Sequence, residues 1–139
     1  MHNKVSNSVF HALDETGQGV VAIRDIIARL ESAGFTGNDP RLTSLTEQLH
    51  RHGADSRGAI NCAEFDDVMT AGQSLLERTV KEELVIPQFS KFASKIEEIF
   101  ELTKENRSGE VASYIPQLAR VAPDQFGVSI CTIDGQRLS

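Results

Sequence analysis

The chain has 139 residues, 40% of them hydrophobic and 24% charged, with a formal net charge of -6. That is enough apolar material for one folded domain or two very small ones, and it excludes a disordered chain. Lys and Arg are scattered among acids with no dense basic patch, which argues against a nucleic-acid partner, and no apolar run approaches the roughly 18 residues of a membrane span.

Along the chain, Val5, Val9, Phe10 and Leu13 recur at the spacing of one helical face. Asp14 to Gly19 reads as a turn whose glycines can take positive φ. Ile23, Ile26, Ile27 and Leu30 predict a second helix, ended by Gly34. Asp39-Pro40 reads as the N-cap and first residue of a third, with Leu42, Leu45 and Leu49 as its buried stripe. Gly53 to Gly58 reads as a second turn. Asn61 and Glu64 have capping-box spacing ahead of Phe65, Val68 and Met69. A connecting helix is expected from about Ser74 to Glu83.

The first seventy residues thus read helix–loop–helix twice, with a β-branched residue after each glycine-bearing loop, Val21 and Ile60. This is the pattern of a paired EF-hand module with its loops side by side. Metal chemistry fits it poorly. An EF-hand loop needs oxygen ligands at positions one, three and five and a bidentate Glu at twelve. With Gly19 at position six, Asp14, Thr16 and Gln18 fill the first three places, but Asp25 stands at twelve, a methylene short. With Gly58 at position six, Gly53 offers no ligand and Arg57 stands where one belongs. A like charge about 6 Å from a divalent ion costs about 5 kcal/mol at an effective dielectric of 20. The expectation is two packed EF-hand-shaped units with no bound metal and no cofactor, and at most weak calcium binding at Asp14–Asp25. His50 and His52 stand two apart on a helix and point in different directions, so no shared metal is expected there. His11 reads as an ordinary helix-surface residue.

Val85-Ile86-Pro87 breaks the pattern, and Pro87 suits the first turn of a long helix. Phe89, Phe92, Ala93, Ile96, Ile99 and Phe100 then repeat at three and four, a strong amphipathic signal. That helix should end near Asn106 to Gly109. Pro116 opens a short helix over Gln117-Leu-Ala-Arg. Phe126 to Ile133 reads as a strand, with Val128, Ile130 and Thr132 on one face, and Asp134-Gly135 as a hairpin turn with a solvent-facing Arg137. Only Gln136 to Ser139 follow, so the strand is expected to lack a partner and to leave an exposed edge.

The segments Tyr114-Ile-Pro-Gln-Leu-Ala and Phe126-Gly-Val-Ser-Ile-Cys-Thr-Ile-Asp-Gly-Gln136 resemble the start of the catalytic domain of the glutaminase family. Glutaminases with an amino-terminal EF-hand-like domain resemble the whole arrangement. The resemblance implies a mainly α chain: an EF-hand-like four-helix domain over residues 1–85, then over 86–139 the first helix, loop and strand of a truncated α+β domain of β-lactamase-like fold. It implies hydrolysis of L-glutamine to L-glutamate and ammonia by a Ser-x-x-Lys pair, with Tyr114 as the substrate-binding residue and a homo-oligomeric enzyme. No serine here has a lysine three places on: Ser90 leads to Ala93, Ser94 to Glu97 and Ser129 to Thr132. The pair is expected beyond Ser139, so no catalytic residue is assigned and the chain alone is expected to be inactive. The competing expectation is a non-enzymatic EF-hand-like oligomerisation or interaction module formed by the helical half, residues 1–85, with the rest a truncated remnant.

Cys62 and Cys131 have no metal or redox spacing and are expected reduced and buried. The polar first residues make no signal peptide. The expected location is the cytoplasm, or the mitochondrial matrix after loss of a targeting sequence.

Overall fold

The structure is a computed structural model describing residues 4–55 and 58–139. Its elements in chain order are α1 (Lys4–Leu13), β1 (Val20–Ala22), α2 (Ile23–Ser32), α3 (Thr43–Asp55), β2 (Ala59–Asn61), α4 (Cys62–Val80), α5 (Phe89–Lys104), a single 3-10 turn (Leu118–Arg120), β3 (Ile130–Cys131) and β4 (Arg137–Leu138). The protein is mainly helical.

The two helix–loop–helix units join through β1 and β2, which pair antiparallel with Val21 opposite Ile60. Both side chains are buried, so the β-branched residues that the sequence places after each loop form the seam. Phe10 of α1 meets Phe65 of α4 edge-on, with ring centroids 5.5 Å apart. Ile26, Leu30, Leu45, Leu49, Val68 and Leu76 complete a contiguous core with them. Each such burial contributes about 1.5–3 kcal/mol relative to exposure, as an upper estimate. Asn61 caps α4: its side chain accepts from the N–H groups of Ala63 and Glu64, and Glu64 accepts from the Asn61 N–H.

Several expectations are corrected. The connecting helix from Ser74 is not separate, because α4 runs unbroken to Val80 and Leu75, Leu76 and Thr79 extend its buried face. Asp39 does not cap α3. It caps the preceding turn, accepting from the Arg41 N–H at 3.0 Å, and the helix starts at Thr43. Gly53 lies inside α3, where a methyl carbon would meet Ile23 Cδ1 at 2.5 Å. Helix contact with Ile23, not a turn, explains that glycine. Of the expected second turn, residues 56 and 57 lie outside the described residues. Pro87 precedes α5, whose first turn is closed by the Gln88 carbonyl accepting from the Lys91 and Phe92 N–H groups.

Further corrections fall at the end of the chain. The expected strand over 126–133 shrinks to Ile130–Cys131, and it does have a partner: Ile130 pairs with Leu138 and Cys131 with Arg137. Cys131 is exposed, not buried, while Cys62 is half-buried with its thiol donating to Asn7 Oδ1 at 2.8 Å. The apolar stripe of α5 buries only Phe89 fully, and Ile99 and Leu102 remain exposed.

Candidate functional site

Tyr114 stands on a corner made by its neighbours. Ile115 precedes a proline and is held toward extended backbone. Its carbonyl accepts from the N–H groups of Leu118 and Ala119 at 3.0 and 3.2 Å, which closes the 3-10 turn behind Pro116. The Tyr114 side chain projects from this corner, 82% exposed, with a phenol able to donate or accept a hydrogen bond. Ile115, Leu118, Val121, Phe126, Val128 and Ile133 are also exposed. Exposed apolar groups are thus concentrated between Tyr114 and Ile133. Phe126 stacks on Phe100 of α5, centroids 5.1 Å apart and 12° between planes. Beside this stack lies a cleft of about 310 Å³ lined by Ile96, Phe100, Gly127, Val128 and Leu138. Tyr114 does not line that cleft. The segment offers a phenol and apolar surface.

The turn after β3 is anchored on the EF-hand-shaped half. Asp134 Oδ2 accepts from the Val85 N–H at 2.6 Å and its Oδ1 pairs with Arg78 at 2.7 Å. The Val85 N–H first, and the Arg78 guanidinium with it, hold this carboxyl below the usual carboxylate range. The Asp134 carbonyl accepts from Arg41 Nη1 at 2.6 Å. Gln136 is fully buried: its amide nitrogen donates to the carbonyls of Ala33 and Ile86, at 2.9 and 2.8 Å, and its oxygen accepts from the Ile86 N–H at 3.1 Å. The Arg137 N–H donates to the Gly34 carbonyl at 2.8 Å, while the Arg137 side chain faces solvent as expected. Sequence reasoning found the turn but not these contacts. As a sequence the turn gives no sign that Asp134 and Gln136 are buried, and nothing names Ala33, Arg78 or Ile86 as their partners.

The first EF-hand-shaped loop is closed by its own groups. Asp14 Oδ2 accepts from the Gly19 N–H at 2.7 Å, and Oδ1 from the Gln18 N–H and the Thr16 hydroxyl at 3.1 and 3.2 Å. The Gly19 N–H is the main cause of a lowered Asp14 pKa. Asp25 is paired with Arg24 at 3.3 Å and is largely exposed. Arg57 of the second loop lies outside the described residues. His50 Nδ1 contacts the Thr46 carbonyl at 2.6 Å. Among the described residues, no three His, Cys, Asp or Glu side chains group as a metal site. No helix among them is long and apolar enough to cross a membrane.

Comparison with known proteins adds two family matches. An EF-hand domain model matches residues 5–87, and a glutaminase model matches residues 109–139. The chain is 34% identical over 138 residues to the mouse (Mus musculus) mitochondrial liver isoform of glutaminase, covering 98% of this chain and 23% of the mouse protein. It is 29% identical over 144 residues to the putative glutaminase 2 of Caenorhabditis elegans, covering 94% and 24%. A bacterial glutaminase from Psychrobacter cryohalolentis is 56% identical over 36 residues, or 26% of this chain and 12% of that protein. The chain spans about a quarter of the length of the animal relatives.

Proposed function

We propose, from the premise that this chain belongs to the EF-hand domain family and ends in a segment matching the glutaminase family, that it is the amino-terminal part of a glutaminase. Residues 1–85 form the EF-hand-like domain and 86–139 begin a catalytic domain of β-lactamase-like fold. The whole enzyme hydrolyses L-glutamine to L-glutamate and ammonia and works as a homo-oligomer, in the mitochondrial matrix or the cytoplasm. The observation that carries this reading is the Tyr114 corner, a phenol 82% exposed on a stiff turn amid an apolar surface that awaits cover.

In that enzyme Tyr114 hydrogen-bonds the substrate. The nucleophile is a serine activated by the lysine three places on, which splits amide hydrolysis into acylation and deacylation. No such pair occurs in these 139 residues. Removing a nucleophile costs several orders of magnitude in rate. The test is ammonia release from L-glutamine: the 139-residue protein shows only background, and turnover at the rate of a glutaminase refutes the reading. In a longer chain that includes the pair, Tyr114→Phe lowers kcat/KM at least tenfold without moving the melting temperature.

A second reading, a non-enzymatic oligomerisation module, draws on the exposed apolar face of α5. Light scattering that finds a strict monomer at all concentrations removes it.

A further inference from the structure

We infer that the EF-hand-like half carries a built receptor for the hairpin turn Thr132–Arg137, and that the two halves of the chain are thereby latched into one unit. The turn is inside out. Its apolar residue, Ile133, is 95% exposed, while Asp134 and Gln136 are 7% and 0% exposed. Hydrophobic burial therefore does not dock it; buried polar groups are costly unless each finds its partner. Here they do. The Gln136 amide bonds Ala33 of the EF-hand-like half, Ile86 at the junction between the halves and Thr132 of the turn itself.

The receptor is organised around the hairpin's own pattern of donors and acceptors. The Ala33 and Gly34 carbonyls belong to the end of α2, where helical carbonyls lack partners within the helix. Arg41 is also held by groups outside the hairpin: Asp39 takes its Nε and Nη2 at 3.0 and 2.6 Å, and the guanidinium lies 5.6 Å from the Phe35 ring centre. Its remaining Nη1 points at the Asp134 carbonyl. Arg78 and the Val85 N–H complete a cationic, donor-rich slot for the Asp134 carboxylate. This chemistry selects its ligand. A glutamate at 136 would set an anion against two carbonyls, and an asparagine would fall a methylene short. The strand pair behind the turn is only two residues long on each side, too little to hold a hairpin unaided.

The test is amide hydrogen exchange by NMR on the 139-residue protein, comparing wild type, Gln136→Glu and Ile133→Ser. In the wild type the Val85, Ile86 and Arg137 amides exchange slowly. In Gln136→Glu they exchange at least tenfold faster, while those of Leu49 and Phe65 keep their rates; Ile133→Ser changes none. Should Gln136→Glu fail to fold, Gln136→Met removes the same bonds without adding charge and carries the same expectation. Unchanged exchange at Val85 and Ile86 overturns the latch. So does acceleration of the Leu49 and Phe65 amides in step with them, because the turn would then be part of the helical core and not a docked ligand of it.

Discussion

At Gly34 a side chain would run into a buried aromatic ring, and Gly34→Ala is the most informative single substitution. It sits at φ 88°, in the left-handed region. A methyl carbon there would lie 2.5 and 2.6 Å from Cε1 and Cδ1 of Phe89, a ring that is 4% exposed. Two costs add: about 1–2 kcal/mol for left-handed backbone in a residue with a Cβ, and about 1–3 kcal/mol for overpacking against a buried ring. A total of about 2–5 kcal/mol, with an unfolding entropy near 2.1 cal/mol/K per residue, gives a fall in melting temperature of roughly 7–17 °C for a chain of this length. Gly17 supplies the control, with φ 65° and nothing within 4 Å of the added carbon. Gly17→Ala should lose only the backbone share, about 1–2 kcal/mol or roughly 3–7 °C. Circular dichroism melts of both variants and of Gly34→Ala/Phe89→Leu decide the matter. The double variant recovers part of the loss. If Gly34→Ala costs no more than Gly17→Ala, or Phe89→Leu recovers nothing, the contact is not what excludes a side chain there.

Asp134, held low by the Val85 N–H and Arg78, and Asp39, held low by Arg41, both have folded pKa values below the ordinary carboxylate value. Their contribution is therefore present above the unfolded value near pH 4 and is lost as pH falls through the lower folded values. The melting temperature should stay level from pH 7 to about 5 and drop below about 4, with a shallower acid limb in Asp134→Asn. Asn61→Ala removes the α4 cap from two N–H groups and should cost about 1 kcal/mol in denaturant unfolding; a loss under about 0.3 kcal/mol refutes the assigned role. Calcium at millimolar concentration should leave the melting curve unmoved, because the Asp14 oxygens already accept from their own loop; an upward shift by calcium but not magnesium contradicts that account.

Periodicity and capping chemistry are local, and the sequence displays them openly. The stripes of Ile26/Leu30, Leu42/Leu45/Leu49 and Phe65/Val68/Met69 are buried as their spacing requires, and Asn61 and Glu64 make the reciprocal cap. The opposition of Val21 and Ile60 follows because two equivalent loops leave only one symmetric pairing. Most of what stayed hidden depends on distant partners, the Asp39–Arg41 pair two residues apart being the exception. Asp39 looks like a helix cap until Arg41 claims its carboxylate. Gly53 looks like a turn residue until Ile23 is seen against it. Asp134 and Gln136 look like solvated turn residues, since their partners at Ala33, Arg78 and Ile86 come from another part of the chain. The Tyr114 corner is built from adjacent residues alone, so its stiffness is a local property of the sequence, whereas the exposure of the phenol is seen only in the fold.

The bond between Gln136 and Ala33 closes over 103 positions of sequence, and that between Arg41 and Asp134 over 93. On a ribosome, α4 is complete roughly fifty residues before the turn is made, which is several seconds at about 5–20 residues per second. Helices form in microseconds once their partners are present. The helical core therefore matures first, with the carbonyls at the end of α2 and the Arg78 guanidinium still hydrated. The hairpin is made after that core, so the contacts that couple the halves form later than the helical packing they dock onto, as expected for contacts of such long range.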